Sequence, residues 1–339
     1  MHSCLTSFGV QFPFYLCQEE STGGFAGFVD KAARTPQGTI VFWVALFTVI
    51  RVAIFLFWKK SPAHKRIGFA HSLARAINEL LDAVIYAGIF VFLLVRPYLI
   101  QAFRIPSGSM VPTLLINDFI VANKFVYRYS NPKDGDVVVF VPPKAGILDK
   151  NGINSEGQVT EDYIKRCIGT PGDVIEMKHD VIYRNGQALT EPYKKYIQFD
   201  PQSPTKFWEI GERESEAMDG HPRNFKFVNF QGQMIPCSIQ GDLVNASSTY
   251  TAKVYLARTL AKKYNMSIPS LMDTLRALPA APIPRGFYFF MGDDRNNSFD
   301  GRAWGLVPRK SIVGRADYIW LPISRMSRII SNPGSALTH

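Results

Sequence analysis

The sequence is poor in several features that would assign its class at once. Only 4 cysteines and 6 histidines occur in 339 residues, and 19% of the residues are charged. So few cysteines exclude a disulfide scaffold, and a chain that is 47% hydrophobic is not disordered. No G-x-S-x-G, C-x-x-C or H-E-x-x-H pattern occurs, which removes support for a nucleophile-elbow hydrolase and for common zinc sites. We therefore expect no metal and no cofactor.

Two long apolar runs predict helices that cross a membrane. Residues 39–58 contain one charge, Arg51, and residues 80–100 carry Asp82 and Arg96 near their ends. Each run has about the 20 residues that a spanning helix needs, and aromatic residues flank both. Arg51 is costly inside a bilayer, and we expect its side chain to extend toward the nearer surface.

The charges around these runs predict their orientation. The segment between them is rich in lysine and arginine, whereas residues 1–38 are not, and positive loops stay in the cytoplasm. Everything after Ile100 should then lie outside the cytoplasm. The formal net charge of +10 is thereby assigned largely to membrane topology, and we expect no nucleic acid partner.

After Phe103 the hydrophobic pattern of the sequence changes to short runs, β-branched or alternating, that are separated by turn residues. This pattern predicts an all-β domain. Asn185-Gly186 predicts a type I′ hairpin. Strand character weakens after Lys194 and resumes at Arg285, so the stretch between is expected to be a partly helical insertion. The predicted fold class is mainly β, with two N-terminal transmembrane helices followed by an extracytoplasmic all-β domain that contains an inserted, partly helical subdomain. The expected division is 1–38 (N-terminal segment), 39–58 (first span), 59–79 (basic loop), 80–100 (second span), 101–194 with 285–323 (β domain), 195–284 (insertion) and 324–339 (tail).

Several candidate catalytic or metal patterns fail on inspection. Ser130 and Lys133 fit S-x-x-K, but the partner patterns S-D-N and K-T-G are missing and the segment is a predicted turn. His179 lies in a predicted hairpin, where a solvated role is expected. The acidic loop that starts at Asp294 lacks the glycine and the glutamate of a calcium loop.

Four segments in order point to one chemistry. They are I-P-S-G-S-M-V-P-T-L at 105–114, G-D-V-V-V-F at 135–140, Y-I-K-R at 163–166 and G-D-D-R-N-N-S-F-D-G-R at 292–302. Behind two predicted spans, this order resembles the bacterial type I signal peptidases, a family of membrane-anchored Ser/Lys proteases. Asp294 and Asn296 stand where family members often carry Asn and Asp.

The resemblance implies a role for each matched polar residue. Ser109 is the expected nucleophile and Lys165 the general base, which must be neutral to accept a proton. The Ser109 backbone N–H and the Ser107 hydroxyl are the expected oxyanion donors, and Ser298 is expected to orient the lysine. We expect Arg166, Asp300 and Arg302 to form a structural charge cluster.

The apolar residues near these positions match the family's shallow pockets for small side chains before the cut, which suits an A-x-A-like cleavage site. They are Phe103, Ile105, Pro106, Met110, Leu114, Ile120, Val139, Tyr163 and Ile164. Several of them are also expected to belong to the hydrophobic core.

These features together predict a serine endopeptidase that removes signal peptides from exported preproteins through an acyl-enzyme. Its expected partners are those signal peptides and the lipid bilayer, and its expected location is the bacterial inner membrane, multi-pass, with the catalytic domain on the periplasmic side. Two alternatives stay open: a relative that processes one dedicated secretion or conjugation substrate, and a non-catalytic membrane-tethered β module. The sequence predicts neither the oligomeric state nor the role of the insertion.

Overall fold

Two long helices open the described part of the chain. A computed structural model describes residues 35, 37–60, 69–147, 152–200, 202–211, 224–238, 258 and 260–331. Its helices are α1 (Gln37–Lys60), α2 (Phe69–Ala87, continued by a π-helical segment Gly88–Val95 and a turn Arg96–Tyr98), α3 (Val126–Tyr129), α4 (Ile268–Ala277) and α5 (Gly301–Trp304).

Segments Gly38–Phe57 and Ser72–Tyr98 are long and apolar enough to cross a membrane. The second helix begins at Phe69, inside the predicted basic loop, and Ile100 belongs to the first strand instead of a helix. The Arg51 side chain forms an ion pair with Asp82 of α2, so its charge is met by the neighbouring helix. The expected extension of Arg51 toward the membrane surface stays a prediction.

Strands occur where the alternating and β-branched runs predict them, further strands occur in the expected insertion, and the mainly β class is confirmed. They are β1 (Ile100–Arg104), β2 (Phe119–Asn123), β3 (Val137–Phe140), β4 (Tyr163–Gly169), β5 (Ile175–Lys178), β6 (Val181–Arg184), β7 (Gln187–Ala188), β8 (Ile197–Asp200), β9 (Ser203–Glu209), β10 (Phe225–Phe230), β11 (Gln233–Ser238), β12 (Phe287–Met291), β13 (Val307–Pro308), β14 (Ile312–Leu321) and β15 (Ser327–Arg328).

The main sheet has eight strands, in the order β1-β2-β14-β3-β4-β12-β13, with β15 paired to β14. Strand β3 is apolar at every position because both of its faces are covered. Val137 and Val139 pack in one cluster with Ile105 and Leu114, whereas Val138 and Phe140 pack in another. A continuous apolar run is the pattern that a strand buried on two faces requires.

The second sheet contains five strands in the order β11-β10-β5-β6-β7. Strands β10 and β11 belong to the expected insertion, whereas β5, β6 and β7 precede it. Strand β10 pairs with β5 through Phe225↔Met177, and both residues pack on Phe289 of β12. Residues 225–238 are thus regular strands that extend the β domain and not part of a separate loosened subdomain. The partly helical portion includes α4, whose first turn contains Pro269 after a Ser267 cap.

The Asn185-Gly186 turn joins β6 to β7 with positive φ at both residues, 53° and 82°. The predicted type I′ hairpin is confirmed, because that turn needs two left-handed residues and asparagine and glycine adopt this conformation most readily. Nearly all of 1–38, the basic stretch 61–68, residues 212–223 and 239–257 of the insertion, and 332–339 of the tail lie outside the described residues.

Candidate active site

The segment that carries Ser107 and Ser109 leaves β1 and folds back on itself. The Ile105 N–H donates to Asp118 O at 2.8 Å, so the two ends of the loop are joined. Between them, the buried side chains Met110 and Leu114 pack against Val139 of β3. Strands β1 and β4 are separated by three strands, which at ~4.8 Å per strand would leave them about 19 Å apart in a flat sheet. The loop therefore crosses the curved sheet to reach β4.

Lys165 is the β4 side chain that meets this loop. Its Nζ lies 2.5 Å from Ser109 Oγ, and both residues are buried, with 5% and 9% of their surfaces exposed. Burial lowers the pKa of Lys165 to about 8, although the nearby carboxylates Asp300 and Asp293 act in the opposite direction. An amine with this pKa is partly neutral near pH 8 and can accept a proton from a hydroxyl.

The second loop hydroxyl and the predicted orienting serine occupy different surroundings. Ser107 is exposed, and its Oγ lies 3.4 Å from Ser109 Oγ. Ser298 is buried, and among the described residues its Oγ has no hydrogen-bond partner, Lys165 included. A Cβ added at Gly292 would lie 2.2 Å from Ser298 Oγ and 2.4 Å from Ser109 O. Because Gly292 has no side chain, Ser298 Oγ and Ser109 O can both lie close to its Cα. The orienting role of Ser298 stays a prediction.

The three residues expected to form one charge cluster separate into two buried ion pairs. Arg302 pairs with Asp300, whose carboxylate also accepts from the Gly292 N–H. Despite the cost of burial, the Arg302 charge keeps the pKa of Asp300 below its usual range. Arg166 instead pairs with Asp293 at 2.6 Å. Asp293 was not among the predicted site residues, although its place directly after Gly292 in the fourth segment was a usable signal.

The predicted pocket residues divide by exposure. Leu114, Ile120 and Val139 are fully buried, and Met110 and Ile105 nearly so, which leaves them almost no surface for direct contact with a substrate. The predicted pocket residues that retain more exposed surface are Phe103, Pro106, Tyr163 and Ile164. We therefore assign the buried set to the core that supports the site.

A hairpin from the insertion also contacts the loop that carries Ser107 and Ser109, and no sequence pattern predicted this contact. A Cβ added at Gly108 would lie 2.1 Å from Phe199 Cζ, so the β8 ring packs directly on this glycine. The Ile197 N–H donates to Asn296 Oδ1 at 2.8 Å, and Asn296 Nδ2 donates to Ile197 O at 3.0 Å. One residue of the fourth segment thereby attaches the hairpin. The loose strand pattern of 195–210 carried no signal for this contact.

The rejected candidates have ordinary structural surroundings. The Ser130 hydroxyl donates to Val126 O at the end of α3, and Arg309 donates to Ser130 O. Cys167 and Cys237 are buried, whereas Cys4 and Cys17 lie outside the described residues. Within the described ranges, no group of three or more His, Cys, Asp or Glu side chains could hold a metal ion.

Comparison with known proteins gives one consistent match. Residues 77–321 match the family model described as signal peptidase, peptidase S26. A signal peptidase I from Aquifex aeolicus is 33% identical over 68% of this chain and 80% of its own length. The Pseudomonas aeruginosa signal peptidase I is 30% identical over 71% and 72%. A crystal structure of a signal peptidase I from Enterococcus faecalis shares 19% identity over 55% of this chain and 97% of that one, with a TM-score of 0.26, so the sequence comparisons carry the assignment.

Proposed function

This chain belongs to the signal peptidase family S26 and is a serine peptidase, and from that premise we propose that Ser109 and Lys165 form the catalytic dyad with which it cleaves signal peptides. The observation that carries the proposal is the 2.5 Å distance between Lys165 Nζ and Ser109 Oγ in a buried setting. A hydroxyl and an amine at this distance can exchange a proton without intervening water.

The first half of the proposed reaction is acylation. Neutral Lys165 takes the Ser109 hydroxyl proton while Oγ attacks the scissile carbonyl carbon. The resulting oxyanion accepts hydrogen bonds from the Ser109 N–H and the Ser107 hydroxyl. When the C–N bond breaks, Lys165 returns the proton to the leaving amine, and the signal peptide remains as an ester on Ser109.

The second half uses the same groups on a water molecule. Lys165 accepts a proton from water, the hydroxide attacks the ester carbonyl, and Ser109 Oγ leaves as the proton returns to it. The four exposed or half-buried residues Phe103, Pro106, Tyr163 and Ile164 support a shallow surface for small side chains before the cut. Overpacking on such a surface would exclude bulky side chains.

The two apolar helices and the loop charges support a membrane-bound enzyme. Lys59, Lys60, Lys65, Arg66 and Arg75 lie in or beside the connection between the helices. Loops with such charge remain in the cytoplasm, which puts the β domain on the opposite side of a bacterial inner membrane, where exported preproteins emerge.

Detergent-solubilised full-length protein tests the function on several unrelated labelled preproteins. We expect cleavage of most of them after small residues, and no cleavage by Ser109→Ala. Cleavage of a single preprotein would identify a dedicated processing enzyme. Failure to cut any preprotein, with the wild-type protein folded, would overturn the proposal.

A further inference from the structure

The insertion hairpin β8–β9 touches the catalytic loop at its centre. The Phe199 ring packs on Gly108, which lies between the proposed oxyanion donor Ser107 and the nucleophile Ser109. A methyl group at this position would overlap the ring, so a larger residue would require Phe199 to move. The hairpin is therefore in direct contact with the reacting segment.

The base of the hairpin is attached to the loop 292–302, whose carboxylates Asp293 and Asp300 lie near Lys165. Besides the two Asn296 hydrogen bonds to Ile197, the Lys195 N–H donates to Asp293 O at 2.9 Å. The Arg295 N–H donates to Lys195 O at 2.8 Å, which closes a short parallel bridge. These bonds hold Phe199 in place relative to Ser109.

A partly open cavity of about 110 Å³ lies beside Phe199. An apolar cavity of about 150 Å³ holds a benzene molecule, so this one has room for one aliphatic side chain. Among the lining side chains, Thr205 contributes a hydroxyl group. The lining residues are Val111, Leu115, Ile116, Phe199, Thr205 and Phe207.

The position of the cavity indicates which part of a substrate reaches it. The surface proposed to bind the residues before the cut is formed by Phe103 of β1, Pro106 just after β1, and Ile164 of β4. The cavity is built from the chain that follows Ser109 and from the hairpin. A substrate whose residues before the cut lie on that surface, and whose scissile bond lies at Ser109, places the residues after the cut near Phe199.

We propose that the β8–β9 hairpin forms the leaving-side subsite, with Phe199 binding an apolar side chain within the first two residues after the cut. This inference rests on the proposed peptidase function. The departing segment is lost when the acyl-enzyme forms, so the hairpin acts on acylation and not on hydrolysis of the acyl-enzyme.

Strand register supplies a matched control variant. Phe199 pairs with Phe207, and both line the cavity, whereas Gln198 pairs with Trp208, which lies on the opposite face of the hairpin. Trp208 is 50% exposed. Truncation of Trp208 removes an aromatic ring from the same hairpin and leaves the cavity wall intact.

The test uses the full-length enzyme and preprotein peptides that differ only in the two residues after the cut, Leu-Leu against Asp-Asp. For the wild-type enzyme we expect kcat/KM to be roughly 10- to 100-fold higher for Leu-Leu, the range found for an aliphatic group in an apolar pocket. Phe199→Ala should abolish most of this preference, Phe199→Leu should keep part of it, and Trp208→Ala should retain it. Single-turnover hydrolysis of the acyl-enzyme should be the same in all four proteins.

Three results would overturn the subsite. The first is a wild-type enzyme that cuts both peptides equally well, and the second is an equal loss of preference in Trp208→Ala. The third is a Phe199→Ala enzyme that changes selectivity before the cut or slows hydrolysis of the acyl-enzyme. A wild-type enzyme that cuts neither peptide nor any preprotein would instead contradict the proposed function.

Discussion

Lys165 combines a buried position with a hydroxyl partner, and for the proposed base this combination predicts the pH range of activity. Its pKa is lowered from 10.5 to about 8 because burial disfavours the ammonium form. Only the neutral amine can take the Ser109 proton, so protonation below that pKa removes the base.

The pH dependence of cleavage tests this role. We expect kcat/KM to rise with pH along one titration near 8 and to level off above it, and Lys165→Ala to remove activity. Ser130→Ala and Lys133→Ala, which alter the unrelated S-x-x-K pattern, should retain wild-type rates. An active Lys165→Ala enzyme would contradict the dyad.

Stability gives Lys165 a second, independent test. The unfolded chain holds the lysine proton up to about pH 10.5, and the folded protein releases it near 8, so stability rises with pH between these values. At neutral pH the shift corresponds to a penalty of about 3 kcal/mol at 1.36 kcal/mol per pKa unit. Lys165→Met should therefore be inactive yet at least as resistant to denaturant as the wild type at pH 7. A marked loss of stability would indicate a structural role.

The two loop serines are predicted to differ in the size of their effects. Ser109→Ala removes the covalent route and should leave no measurable cleavage. Ser107→Ala removes one oxyanion donor and should lower kcat by roughly 10²- to 10³-fold with little change in KM. Ser107→Thr restores a hydroxyl and should recover part of the rate. An inactive Ser107→Ala beside an active Ser109→Ala would exchange the two roles.

Asp294 is a buried carboxyl whose pKa is raised well above its usual range by burial. Its Oδ2 has no hydrogen-bond partner among the described residues, and its N–H donates to Ser109 O. Because the folded pKa exceeds the unfolded value, the contribution of Asp294 to stability is fully present below about pH 4 and is lost as pH rises toward the folded pKa.

Asp294→Asn should accordingly retain activity and gain stability relative to the wild type as pH rises above about 4, as followed by denaturant midpoints. The amide has nearly the same shape as the carboxyl and does not ionise. A variant that loses stability relative to the wild type as pH rises would contradict a raised pKa for Asp294.

At the scale of elements, strand β4 links the dyad to the buried charges. Lys165 and Arg166 are adjacent, and β4 lies between β3 and β12, which leads directly into Gly292 and Asp293. The Arg166–Asp293 pair is almost completely buried and connects β4 to the loop after β12. Arg166 also donates to Ser331 O, and Thr113 donates to Asp293.

Breaking this pair should be costly. Asp293→Ala leaves the Arg166 guanidinium buried without its carboxylate, for which we expect a loss of about 3 to 5 kcal/mol in the free energy of unfolding. Glu176→Ala breaks the exposed Glu176–Lys178 pair and should cost less than about 1 kcal/mol. Chemical denaturation of both variants compares the two costs. Equal losses would show that the buried pair does not hold β4 to the loop.

At the scale of the whole molecule, two apolar helices precede a β domain built on two larger sheets and the β8–β9 hairpin. The ion pair between Arg51 and Asp82 ties α1 to α2 by charge. Together with the loop charges, this arrangement predicts a helical hairpin that anchors the domain outside the cytoplasm.

Reporter fusions test that orientation. A reporter that is active only outside the cytoplasm should be active when fused after Ile100 and inactive when fused after Lys65. Reversal of four basic residues to glutamate (Lys59, Lys60, Lys65 and Arg66) should weaken this difference. Activity at Lys65 together with inactivity at Ile100 would invert the topology and remove the proposed access to exported preproteins.

Most local elements, and the residues that carry the proposed chemistry, could be predicted from patterns of neighbouring residues. Lysine inside an apolar strand, a Ser-Gly-Ser bend, the Asn185-Gly186 turn and the two apolar runs all act through neighbours in sequence, so their patterns are readable locally. The tertiary structure decided which of these residues meet. The loop after β1 crosses the curved sheet to bring Ser109 to Lys165, Arg166 pairs with Asp293, and Phe199 packs on Gly108. Each of these contacts depends on sheet order, curvature and packing between distant segments, which no local pattern specifies.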